Sequence, residues 1–430
     1  MTASANDPRK FFRGSVAISG GRISSVLPAT PDNGSDDRGT ESENRSRRVI
    51  DAGGKLLMPG LINLHNHVAM SLMRNYADDL PLMEWLADRV WPFEAKLTGD
   101  DVYLGARLGI AEMLLGGTTT FVDMYWHADR VAEAVLESGM RAVVCPAFID
   151  TNYEAFERET VRLVERYAGA DGGRLGVRIA PHAPYTCSPE SVRKALSLCE
   201  KYGLGIHVHL SETRSETETI RQRYDKTSAE YLRDLGVFDY PTLAVHCVHL
   251  TEEDMDILFR YGVSVAYNPQ SNMKLASGIA PVARMIGRGL TVGIGTDGPC
   301  SNNDLDMWEE MRTASLLQKV ATADPCSLSA YRTLQMATVH GAKAIGREDE
   351  LGVIVPGALA DLLLVDMERP HLSPRNDLIA NLAYCGKASD VDTVFVGGEI
   401  VVEGGRLLTS DVRALCREAG ERVAEIKQRG

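Results

Sequence analysis

The sequence predicts a closed parallel (β/α)8 barrel carrying a small β-sandwich domain assembled from both chain ends. Three observations predict it. Eight apolar strand-like runs alternate with helix-length segments between Leu61 and about residue 300; short strands return after residue 350; and the chain opens in the same strand-rich style.

Residues 11–27, FFRGSVAISGGRISSVL, read as two short strands around Gly20-Gly21. Thr30 to Arg48 is polar and low in complexity, which marks a solvated loop, and VIDAGGKLLMPG then reads as a strand. The barrel strands fall at 61–67, 119–123, 141–147, 176–182, 205–210, 242–247, 262–267 and 290–296. Their near-continuous apolar character suits strands covered on both faces. A doubly wound open sheet is the alternative arrangement of the same units. A helical stretch at about 306–346 follows, then short strands in ALADLLLVD and DTVFVGGEIVVEGGR, then a helix from Ser410 to Gln428. The expected division is 1–58 as the first part of the sandwich, 59–350 as the barrel, and 351–430 as the second part with the final helix.

Composition narrows the function classes. With 430 residues, 44% hydrophobic and 24% charged, the chain is neither disordered, collagen-like nor a coiled coil. Acids outnumber bases 59 to 46, giving a net charge of −13 without a basic stripe, which disfavours nucleic acid and anionic membranes as partners. Eight cysteines sit singly, with no C-x-x-C, as in a reduced cytosolic protein. No 18-residue apolar run is present, and Met1–Gly14 lacks the apolar core of a signal peptide. A soluble cytoplasmic protein is expected. The sequence leaves open whether it is a homo-oligomer.

The polar residues at strand ends carry the chemistry. His65 and His67 stand two apart, so in a regular strand both imidazoles face one side. Taken alone, His-x-His suits a hydrogen-bonded pair as well as a metal site. The fifth strand ends His207-Val-His209-Leu-Ser-Glu212, the sixth holds His246 with His249 beyond, and the eighth ends Gly295-Thr296-Asp297-Gly298. A barrel gathers such ends in one ring at its catalytic mouth. Two histidines of the first strand, one of the fifth and Asp297 would supply the nitrogen and oxygen ligands of a catalytic zinc with an open position. Spacing does not separate His207 from His209. His209 is preferred because it lies nearer the strand end, leaving His207 as a core histidine and His249 as a loop residue. The fourth strand ends in His182 without a lysine to bridge two metals, so a mononuclear site is expected. Glu212 reads either as a carboxylate favoured at a helix N-terminus or as a catalytic acid–base placed directly after a ligand strand.

The segments PGLINLHNH, PHAPYTCSPE, HVHLSET, AVHCVHL and GIGTDGPCSNN resemble the amidohydrolase superfamily. More narrowly, they resemble its methylthioadenosine/S-adenosylhomocysteine deaminase and triazine chlorohydrolase branch, from about Gly20 to residue 405. The resemblance implies metal ligands His65, His67, His209 and Asp297 and one divalent cation per subunit. Zinc is the first choice, and Fe(II), Mn(II) and Ni(II) also suit such ligands. It further implies Glu212 as proton shuttle, with His246 and Asp297 assisting, and His182 and His246 as substrate and water contacts. The segment LPLMEWLADRVWPFEAKLT resembles the nucleoside-binding lid of adenosine-derivative deaminases, implying Glu94 on the ribose hydroxyls and Trp85 against the ligand. The structural alternative makes Trp85 and Trp91 packing aromatics and Glu94 a surface acid. Arg158 is a candidate for a homocysteine carboxylate. The reaction so implied is hydrolytic deamination of S-adenosylhomocysteine, 5′-methylthioadenosine or adenosine. The alternative is another aminohydrolase or a chlorohydrolase acting on a triazine, guanine, cytosine or pterin. Two departures leave the site untouched: MTASANDPRKFF stands where the family carries an extra apolar strand, and the 30–48 insertion is longer than usual.

Overall fold

The computed structural model describes residues 11–29, 48–81, 84–167 and 170–429. The first ten residues and nearly all of the polar insertion lie outside these segments. Strands β1 (Gly14–Ser19) and β2 (Arg22–Pro28) form an antiparallel hairpin. Both residues of its turn, Gly20 and Gly21, have positive φ (58° and 77°), the geometry that matches strand twist in a two-residue turn. Strand β3 (Lys55–Pro59) follows, and Gly60 passes so close to Thr119 that a side chain there would collide with it.

Eight strands then form one parallel sheet in sequence order: β4 (Leu61–Asn66), β5 (Thr118–Tyr125), β6 (Arg141–Phe148), β7 (Leu175–Pro181), β8 (Gly205–Leu210), β9 (Thr242–His246), β10 (Ser264–Tyr267) and β11 (Val292–Ile294). The ends of the sheet meet. The Asp297 amide donates to the His65 carbonyl at 2.9 Å and the Thr296 amide to Asn63 Oδ1 at 3.1 Å, closing the barrel. The open-sheet alternative is thereby excluded. Ile62, Leu64, Val122, Met124, Cys145, Ala147, Ala180, Leu243 and Val245 belong to one buried cluster that fills the interior. The expected strand 290–296 is shorter, Val292–Ile294; beyond it the Thr296 amide turns to the Asn63 side chain and Asp297 is left-handed (φ 64°).

The second sheet joins the two chain ends: β3 pairs antiparallel with β12 (Leu362–Asp366), followed by β13 (Val391–Val396), β14 (Glu399–Glu403) and β15 (Arg406–Leu407). Ile23 of the hairpin packs with Leu362, Leu364 and Phe395 in a separate core, completing a small sandwich. A buried bidentate pair, Arg141 to Asp361 at 2.9 and 3.2 Å, ties the barrel to this sheet. No helix of the described residues is long and apolar enough to cross a membrane.

The last helix, Val412–Gln428, docks on the helix Gly99–Leu115. Asp101, fully buried near the start of the latter, accepts from Thr98 within its capping box and from Arg422 (2.9 Å) and Arg429 (3.2 Å). Burial works to raise the Asp101 pKa, but the two arginines and Thr98 outweigh it and hold the carboxyl well below the usual carboxylate range. A depressed native pKa adds stability above the unfolded value of about 3.9 and loses it as pH falls further. Asp101→Asn is expected to cost about 1–3 kcal/mol, below the full buried-pair penalty because the arginines are partly solvated. Chemical denaturation at pH 7 and pH 3 checks this: the gap between wild type and variant should narrow at the lower pH.

Candidate active site

The C-terminal mouth of the barrel collects His65, His67, His182, His209, His246 and Asp297 from five strand ends. Ile62 and Leu64 point into the barrel core, so strict alternation would turn His65 outward. The β4–β5 ladder slips between Asn63 and Asn66, and the His65 ring comes inward with that irregularity. Side-chain nitrogen and oxygen atoms then converge. Asp297 Oδ1 lies 3.2 Å from His65 Nε2 and 3.3 Å from His67 Nε2, and His209 Nε2 lies 3.3 Å from His65 Nε2.

Outer hydrogen bonds set which atoms face the centre. His67 Nδ1 donates to the Met124 carbonyl at 2.5 Å, which turns Nε2 toward the cluster. His65 Nδ1 meets His207 Nε2 at 2.8 Å, placing His207 behind the ring while His209 faces the cluster. Asp297 holds its left-handed backbone through three bonds: Ser271 Oγ and Ser301 Oγ donate to Oδ2 at 2.6 and 2.9 Å, and the Gly298 amide donates to Oδ1 at 2.8 Å. A side chain at Gly298 would press on His67 and Met70. Burial opposes the Asp297 charge, but His65 and His67 outweigh it and hold the carboxyl well below its usual range. Burial pushes His182 down to about 4 and His209 well below the ordinary value, so both are neutral and able to offer lone pairs. The imidazoles of His65, His67 and His209 and the Asp297 carboxylate, with nitrogens packed as close as 3.3 Å, form a donor set that fits a divalent cation.

Glu212 follows β8, with its Oε2 3.8 Å from His246 Nε2. Burial first, then the Asp297 and Glu216 charges, push Glu212 up to about 8. The amides of Asn272 and Asn268 reach His246 Nδ1 at 3.0 and 3.3 Å; with these donating, the His246 proton sits on Nε2 and faces Glu212. His246 is also left-handed (φ 69°), the second strained position at the mouth. His249 bonds the Ser277 carbonyl at 2.7 Å as a loop residue.

The same cavity is lined by Trp85, Trp91 and Glu94. Trp85 is buried and donates its indole N–H to Ala77 at 3.0 Å, so it presents only a ring face or edge. Trp91 is 40% exposed at the rim. Burial raises the Glu94 carboxyl, with Tyr125 and Trp126 beside it pulling the other way. Arg158 is not brought to the site. It sits on the helix Tyr153–Tyr167, whose buried face is Phe156, Thr160, Leu163 and Tyr167; Arg158 falls on the opposite side, 69% exposed and paired with Glu154 at 3.9 Å. The expectation of a carboxylate contact there is therefore withdrawn. Ser271 and Ser301 on Asp297, and Tyr125 and Trp126 beside Glu94, also belong to the site, and none of them carries a spacing signal in the sequence.

Residues 56–401 match the Amidohydrolase family. The chain is 47% identical to a 5-methylthioadenosine/S-adenosylhomocysteine deaminase of Pelotomaculum thermopropionicum, covering 97% of this chain and 94% of that one. It is 49% identical to the enzyme of the same name from Desulforudis audaxviator, covering 96% and 94%. Among solved structures, a zinc-bound adenosine deaminase from Xanthomonas campestris superposes with a TM-score of 0.89 at 33% identity over 97% of this chain and 94% of that one. An atrazine chlorohydrolase from Arthrobacter aurescens shares the fold, with a TM-score of 0.85 at 24% identity over 95% of each chain.

Proposed function

The chain belongs to the amidohydrolase family, and from that premise we propose that it hydrolyses the exocyclic C–N bond of an adenosine derivative, releasing ammonia. The substrate is 5′-methylthioadenosine, S-adenosylhomocysteine or adenosine. One observation carries the reading: a single cavity presents the convergent His/Asp cluster with Glu212 and, in the same lining, the half-buried carboxylate Glu94. A purine and its ribose need such a pair of features.

His65, His67, His209 and Asp297 would hold one divalent cation, zinc being the best fit. When bound, that ion supplies an acidified water at neutral pH. Glu212 takes a proton from the attacking water and hands it to the ring nitrogen beside C6; it then takes the proton of the new C6 hydroxyl and delivers it to the exocyclic amine, so that the C6–N bond breaks, ammonia leaves and a C6 oxo group remains. One carboxylate serving as base and then acid works best with a pKa near the operating pH, and burial moves Glu212 toward that range. His246 Nε2–H steadies the group at Glu212, and His182 lines the same wall as a substrate contact. Glu94 would accept the two ribose hydroxyls under Trp85, while Met70, Leu86, Val90 and Leu275 give an apolar wall suited to a methylthio group.

The test is ammonia release from metal-loaded protein across adenosine derivatives, free bases, pterins and chlorotriazines, for wild type and Glu94→Ala. Hydrogen bonds to a charged group contribute about 1.5–3 kcal/mol each, so Glu94→Ala should lower kcat/KM on ribosides by roughly ten- to several-hundred-fold. The loss should shrink sharply on the 2′,3′-dideoxy analogue, which offers no hydroxyl to bind. Equal loss on both makes Glu94 structural. A wild type that ignores every riboside hands the site to the triazine or free-base alternatives.

A further inference from the structure

Glu216 is buried (3% exposed) and has no part in the roles assigned above. It is the third residue of the helix Arg214–Tyr224, where a glutamate ordinarily reaches back to the amide of the capping residue. Thr213 caps this helix in the usual way, its side chain accepting from the Glu216 amide at 3.3 Å, but the Glu216 carboxylate reaches further. One oxygen accepts from the Ser211 amide at 2.7 Å and the other from the Glu212 amide at 3.0 Å. Ser228 Oγ secures the first oxygen at 2.8 Å. Ser211 itself is left-handed (φ 51°), a conformation that a non-glycine residue keeps only where its surroundings impose it. Its carbonyl accepts from the His249 amide at 2.9 Å, so the turn is pinned on both sides.

We propose that Glu216 is a positioning residue whose carboxylate, by binding two consecutive backbone amides, aims Glu212 from the end of β8 into the active site. The inference rests on the proposed proton-shuttle role of Glu212. A carboxylate can accept both amides at once. A glutamine offers one oxygen, and its NH2 would meet the second amide donor to donor. Misplacing a reacting group by about 1 Å is worth on the order of a hundredfold in rate. Glu216 is neither one of the His/Asp cluster nor itself part of the cavity lining, and its hydrogen bonds reach the site only through the Ser211 and Glu212 amides.

The experiment is a double-mutant cycle on metal-loaded full-length protein with 5′-methylthioadenosine, read as kcat, KM and bound metal per chain. Glu216→Gln should lower kcat roughly ten- to hundredfold, with KM and metal content within about twofold of wild type. Added to Glu212→Gln, it should cost nothing further, because the group it aims has already been disabled. Hydrogen-exchange mass spectrometry supplies a readout independent of turnover: amides in 210–213 should exchange faster in Glu216→Gln, while those around Asp297 keep their protection. Ser228→Ala, which loosens the carboxylate without removing it, should show the same pattern at a smaller amplitude and covers the case where Glu216→Gln does not fold. A kcat unchanged in both variants overturns the inference, as does a loss from Glu216→Gln that multiplies in full onto Glu212→Gln. Wild-type turnover by Glu212→Gln alone would instead defeat the shuttle reading, and this inference with it.

Discussion

Stripping the divalent cation from the protein should abolish turnover and leave the barrel folded. The cation's task is to bring a water's pKa from 15.7 down to about 7, a change that no side chain in the cavity can reproduce. The fold has no such dependence. Ile62, Leu64, Val122, Met124, Leu243 and Val245 fill the barrel interior, and the last strand closes on the first through backbone and side-chain bonds that involve no metal. In the cation-free site burial disfavours a charge on His67, but Asp297 overrides it and pushes His67 up to about 9, while His65 is pushed down to about 4. A proton is thus favoured on His67, beside the Asp297 carboxylate, in the protein stripped of its cation. Reloading must expel that proton, so cation affinity should strengthen as pH rises toward 9 and weaken as it falls. Chelation followed by zinc add-back, with circular dichroism throughout, checks both halves. Full activity in protein verified as metal-free would sink the assignment.

The strand ends were the legible part of this chain because barrel topology converts position along the sequence into position in space. His65, His67, His209, His246 and Asp297 could be placed together from the alternation of strands and helices alone, since each lies at or just past the end of a strand. Where neighbouring residues compete, spacing was silent. His207 and His209 face the same side of β8, and only the 2.8 Å contact behind His65 and the 3.3 Å contact before it tell them apart. The slip in β4 was likewise hidden, because a ladder irregularity depends on the partner strand. Arg158 differs: its charge complements a substrate carboxylate, but the helical phase set by Phe156, Thr160 and Leu163 turns it to solvent. Glu216 sits in a readable pattern, Thr213-x-x-Glu216, which signals a capping box. Its reach beyond the cap to Ser211 and Glu212 depends on the left-handed turn, and no sequence pattern announced that turn.

Glu212→Gln is expected to retain cation and ligand and to lose about 10²–10⁴-fold in kcat, the usual worth of a positioned acid–base group. The upper part of that range is favoured because one carboxylate would serve two proton transfers. Glutamine keeps the volume and one acceptor oxygen, so packing against His246 and the pinned Ser211–Glu212 turn should survive. What it loses is the ability to take up a proton and return it. Burial and the neighbouring Asp297 charge push the native carboxyl up to about 8, while a bound cation, opposing Asp297, would pull it back toward neutrality. Wild-type kcat should accordingly fall on the acidic side as Glu212 protonates, since the protonated acid cannot accept the water's proton. That limb should vanish from the residual activity of the variant, leaving only the dependence set by the cation site. The decisive measurement is a pH–rate profile of both proteins at matched metal content, with substrate-analogue affinity measured alongside. Retention of more than about a tenth of the wild-type rate, far short of the loss expected for acid–base catalysis, would remove Glu212 from the chemistry and leave it as a carboxylate at a helix start.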